Sequence, residues 1–217
     1  MKLVYALAIS AGTLSALPGN SQISYGGHPY GITHTVDLAE APLSVMADVD
    51  AEALMAVDAD RAAQGIKGPY RFGFNHATDL SLENSGVWQT LSNGDRVWRL
   101  AIQCPGAFSI NFEFHDYVIP EGAQVFVYNE LGDVLGAFEE GSNAGNTILG
   151  VTQLAGEKIT IEYVEPLAVR GLGRLMVGQV THGYRDIMHM QKGLGDSGSC
   201  NNNVICPIGD PWRDQIR

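Results

Sequence analysis

This sequence predicts a mainly β protein built as an antiparallel sandwich of about seven or eight strands. Three observations carry that expectation: period-two alternation of apolar and polar residues in several short runs, turn signals between those runs, and no helix-forming segment among them. The alternation is clearest where Trp98, Leu100, Ile102 and Cys104 fall on one strand face and Arg99 and Gln103 on the other. It recurs where Ile110, Phe112 and Phe114 oppose Asn111, Glu113 and His115, and where Ile159, Ile161 and Tyr163 oppose Lys158, Thr160 and Glu162. Runs at 87–91, 124–128, 134–138, 148–153 and 175–180 complete the set. Asn93-Gly94 is a hairpin signal before the Trp98 strand, and Pro120-Glu121-Gly122, Leu131-Gly132-Asp133 and Ala155-Gly156 punctuate the rest.

Taken in order, the chain starts with Met1-Lys2 and an apolar run, Leu3 to Ala11, followed by small residues and the breaker Pro18-Gly19. One positive residue ahead of an apolar stretch too short to cross a bilayer is the pattern of a secretory signal peptide, assigned here to residues 1–21. No other window is apolar enough to span a membrane. Residues 22–69 read as a loop-rich segment interrupted by one short helix near 51–64. An Asp stands ready as N-cap, acidic residues occupy the first turn, and Gly65 stops the helix. The sandwich is expected over 70–184, a linker over 185–194 and an irregular tail over 195–217.

The formal net charge of −11 argues against a nucleic-acid partner, which would need clustered Lys and Arg against phosphate. The three cysteines, Cys104, Cys200 and Cys206, are an odd number for an exported chain. Cys104 lies on the apolar face of its strand and reads as core. Cys200 and Cys206 could close a small loop on each other or pair with cysteines elsewhere.

Side chains that often carry chemistry give little here. The six histidines, His28, His34, His76, His115, His182 and His189, include none at zinc-ligand spacing, and no cofactor or metal site is expected. His182 and His189 read as exposed or hydrogen-bonded residues approaching the linker. Glu139-Glu140 reads as surface charge, because neighbours in a strand point to opposite faces. Gly195-Asp196-Ser197-Gly198 imitates the surroundings of a serine nucleophile, but Ser197 would need a histidine, a carboxylate to orient it and an oxyanion hole. The residues upstream offer a single sandwich instead of a body holding such a set, and Ser-Cys follows the tetrad where the nucleophile motif has Gly-Pro.

The run Ser197-Gly198-Ser199-Cys200-Asn201, then Cys206-Pro207, Gly209-Asp210 and Trp212-Arg213-Asp214, resembles the mature N-terminus of the secreted lysyl endopeptidases, trypsin-like serine proteases. The family's mature start usually has an apolar residue where Asp196 stands. The sandwich region is similar to the β-rich propeptide of their bacterial precursors, through Val97-Trp98-Arg99-Leu100-Ala101-Ile102, Ile119-Pro120-Glu121-Gly122-Ala123 and Val127-Tyr128-Asn129. Together the likeness covers roughly residues 70–217. It implies that Cys200 and Cys206 anchor the mature strand to cysteines of a catalytic domain that lies outside this chain.

On that resemblance the chain is expected to be the pre-pro region of a secreted, extracellular or periplasmic endopeptidase, followed by the first residues of the mature enzyme. Its partner is its own protease domain, which it helps to fold and restrains, and alone it is expected to be inactive. Lys192 is one of only four lysines, so a lysine-specific protease could free its own terminus at Lys192-Gly193. The rival expectation is a free-standing secreted sandwich that binds a glycan or protein at the cell surface.

Overall fold

The structure is a computed structural model that describes residues 24–33, 38–143 and 145–189. The expected signal peptide at 1–21, the processing residues Lys192 and Gly193, Ser197, and the cysteines Cys200 and Cys206 lie outside the described residues, as does His34.

The protein is a β-sandwich of two sheets. In chain order come a single helical turn α1 (Tyr30–Thr33), β1 (Leu43–Val45), helix α2 (Ala51–Ala63), β2 (Gly73–Ser81), β3 (Val87–Thr90), β4 (Arg96–Gln103) and β5 (Ser109–Val118). Then follow β6 (Gln124–Asn129), β7 (Val134–Phe138), β8 (Leu149–Ala155), β9 (Lys158–Glu165) and β10 (Arg174–Gly183). The first sheet runs β1-β4-β9-β6-β7, with β3 also on β4; the second runs β2-β10-β5-β8. All pairings among the described residues are antiparallel except β1 with β4.

The period-two runs face each other across the sandwich. Trp98, Leu100 and Ile102 of β4, Ile159, Ile161 and Tyr163 of β9, and Val125 and Val127 of β6 meet Ile110, Phe112 and Phe114 of β5 and Leu175, Val177 and Val180 of β10 in one core. None of these is more than 2% exposed, so each contributes about 1.5–3 kcal/mol of burial. Cys104 belongs to this core, as its strand position suggested, and burial pushes its thiol up to about 12, which leaves it unreactive near neutrality. The Asn93-Gly94 turn forms with Gly94 at φ +89°, a conformation that favours glycine, between β3 and β4.

Two strands lie beyond the runs identified from sequence. β2 has few apolar residues to mark its inner face, and β1 is three residues long and formed by parallel pairing to distant Ala101, Ile102 and Gln103. The stretch read as loop-rich is tied across the outer face of the first sheet. Ser24 Oγ donates to the Gly136 carbonyl at 2.6 Å, Tyr25 N to Ala137 O at 3.0 Å, and Gly31 N to the Glu162 carboxylate at 2.9 Å. Further along, the Arg99 guanidinium donates to the Ala39 carbonyl, and Ala39 N donates to Gln89 Oε1 at 2.7 Å. This cover explains why β4 is buried on both faces, with Val97 and Ala101 at 1% and 2% exposure. It also encloses Glu162, whose carboxyl is raised by burial while the Gly31 and Tyr30 amides and Arg99 oppose the rise.

Candidate functional site

The site that bears on the sequence expectations is the junction where β10 hands the chain to the 185–194 segment. β10 and β2 pair up to Gly183 and Gly73, and the Phe72 carbonyl then accepts from both Tyr184 N at 2.9 Å and Arg185 N at 3.2 Å. Those two bonds fix the directions in which Tyr184 and Arg185 leave the sheet. Both side chains reach Asp58 of α2: Tyr184 Oη donates to Oδ2 at 2.8 Å and Arg185 Nη2 donates to the same oxygen at 2.9 Å. Arg71 Nη1 lies 3.1 Å from the other oxygen, Oδ1. Three donors on one carboxylate hold Asp58 below the usual carboxylate range, chiefly through Arg185 and then Tyr184.

Helix α2 forms for the reasons its sequence suggested. Asp50 Oδ1 accepts from Ala53 N at 2.9 Å as N-cap, and Ile66 N returns to the Arg61 carbonyl at 3.0 Å past Gly65, at φ +69°. Its contact with the sandwich is unusual, because none of its residues is buried. The Asp58 contacts replace the apolar face that normally docks a helix.

Between α2 and the 66–71 segment lies a cleft of about 440 Å³. Met55, Ala59, Ala62, Ile66 and Pro69 supply apolar wall, Tyr70 supplies a ring, and Arg61, Arg71 and Arg185 supply guanidinium groups around Asp58. The Arg185 guanidinium carbon stands 5.4 Å from the Tyr70 ring centre and 5.5 Å from that of Tyr184, within cation–π range.

His182 and His189 behave differently from each other. His189 is exposed, with Nδ1 2.8 Å from the Asp186 carboxylate, in line with the sequence reading. His182 corrects it: the side chain is 1% exposed and Nδ1 is a buried atom without a hydrogen-bond partner. The reason is that it continues the inward face of β10 after Val180, opposite Ile110 of β5. Its ring lies 6.4 Å from that of His76 on β2, whose Nε2 is likewise buried without a partner. Burial lowers both histidines below their ordinary value.

Ser109 Oγ, also buried and without a hydrogen-bond partner, is not bonded to His182, so the two do not make a nucleophile–base pair. Among the described residues, no three His, Cys, Asp or Glu side chains converge as a metal site. No helix among them is long and apolar enough to cross a membrane. Glu139 takes a hydrogen bond from Gln124 Nε2 at 2.8 Å, and Glu140 is exposed in the turn that follows.

Sequence reasoning found α2 but missed Asp58, Arg71 and Tyr184 as a unit. Asp58 and Tyr184 are 126 positions apart, and no local pattern marks such a pair.

No protein-family model matches this chain. One solved structure, an exo-β-1,3-galactanase from Phanerochaete chrysosporium with galactose, is similar at 11% identity and a TM-score of 0.25. The match covers 54% of this chain and 31% of the galactanase, so it spans less than a third of that protein. A TM-score that low bears on neither activity nor ligand.

Proposed function

We propose that this chain is the pre-pro region of a secreted trypsin-like, lysyl endopeptidase-like serine endopeptidase, acting as folding assistant and inhibitor of the catalytic domain. The observation that carries the reading is the order of parts: a sandwich ending in β10, then Lys192-Gly193, then the Ser197–Cys206 motif that resembles the mature start of that family. The Asp58 contacts add support, because they hold the chain firmly at Arg185, shortly before the proposed cut. The pro region stabilises the catalytic domain by burying surface on it, and proteolysis at Lys192-Gly193 turns this intramolecular contact into a weaker, dissociable one. Cys200 and Cys206 then tie the released strand to the catalytic body.

The test adds the purified 217-residue chain to a mature lysyl endopeptidase. Slower hydrolysis of a lysyl substrate and a higher yield of active enzyme on refolding are expected. No effect on either would remove both roles and leave a free-standing binding sandwich as the better description.

A further inference from the structure

The cleft beside α2 differs from the rest of the molecule in charge. The chain carries a formal net charge of −11, yet three of its nine arginines line this one depression against a single carboxylate, Asp58. Arg71 and Arg185 are both drawn onto Asp58, which satisfies one charge and leaves an excess of positive potential. Arg61 has no ion-pair partner among the described residues. Arg185 Nε is a buried donor with no hydrogen-bond partner, although the same guanidinium uses Nη2 on Asp58. Arg185 still lines the cleft beside Arg61, so an acceptor entering it meets these two guanidinium groups together.

The walls indicate what the acceptor should be attached to. Met55, Ala59, Ala62, Ile66 and Pro69 present apolar surface beside the guanidinium groups, and Tyr70 offers a ring face. The volume of about 440 Å³ lies within the range of small-ligand sites. We infer that this cleft binds a peptide carboxylate carried next to an apolar side chain, with Arg61 and Arg185 receiving the carboxylate and Met55 and Ile66 packing on the side chain. Guanidinium groups match the planar geometry of a carboxylate, and the apolar wall excludes a fully hydrated inorganic anion as the best occupant. The inference is independent of the protease reading, since neither Lys192 nor a catalytic domain is needed for it.

The experiment titrates the 217-residue chain with N-acetyl-leucine and with its neutral amide, and follows amide chemical shifts of Ala59, Ala62 and Ile66. Saturable shifts with the acid, at least about fivefold weaker binding of the amide, and weakening by about three- to tenfold in Arg61→Gln are expected for one charge-assisted contact at an exposed position. Ile66→Ser, at a position 46% exposed, serves as a second variant and should weaken the leucine compound but not acetate. Equal binding of acid and amide, inorganic phosphate binding as tightly as the acid, or no saturable shifts in these residues would each overturn the assignment.

Discussion

Inside the sandwich, Ile102, Phe114 and Ile161 are wholly shielded from water, whereas α2 buries none of its residues and is held to the sandwich through the contacts of Asp58. The first kind of attachment is non-directional, not screened by salt and spread over many side chains. The second depends on three donors meeting two oxygens, so it is screened by salt and lost when the carboxylate is removed. The sandwich should therefore behave as the cooperative unit, and α2 with its cleft as an appendage that can open first.

Changing the core should give the largest effect. Phe112→Ala removes a ring at 1% exposure that stacks edge-on with Phe114 at 5.0 Å, and a loss of about 3–5 kcal/mol is expected in urea unfolding. A value under about 1 kcal/mol would mean that the core is looser than its burial implies. Next comes the charge at the sandwich end. Glu165 is fully buried and takes hydrogen bonds from Arg96, from Tyr163 Oη at 3.2 Å and from Gly171 N at 3.0 Å. Arg96→Ala strands that carboxylate and should cost about 2–3 kcal/mol, with Arg96→Ala/Glu165→Gln recovering part of it in the same assay.

The histidine pair gives a smaller effect that depends on pH. Burial lowers His76 and His182, so the unfolded chain takes up protons first. Stability should be complete above the ordinary histidine value and fall as pH drops through it, until the folded-state values are reached. Glu157 partly offsets this at His182, and His76 adds to it. His182→Gln should flatten the profile between about pH 7 and 5; an unchanged slope would show that the pair does not titrate on unfolding.

The smallest effect on global stability should come from Asp58→Asn. Faster amide exchange across α2 is expected with little change in the unfolding midpoint. A midpoint shift as large as that of Phe112→Ala would erase the distinction between the two regions. Because Asp58 is held below the usual carboxylate range, acidification should release α2 only after ordinary surface carboxylates have been protonated.

The same contrast sets what the sequence could disclose. Strands β4, β5 and β9 were legible because each alternates apolar and polar residues against one core, and α2 was legible from its cap and stop residues. β2 was not, since Asn75, His76, Thr78 and Asp79 blur the alternation, and β1 exists only through pairing with β4. Val97 and Ala101 put apolar residues on the second face of β4 as well, which is the mark in the sequence of the cover over that face. Asp58 and its donors come from three separate segments, so their meeting is a product of topology.

The proposed role is tested most directly by the N-terminal sequence of the mature enzyme released from the secreted precursor. A start at Gly193 is predicted, with Lys192 at the cut bond. A start several residues away, or a secreted product that keeps β10 and the Ser197–Cys206 motif in one uncut chain, would contradict it.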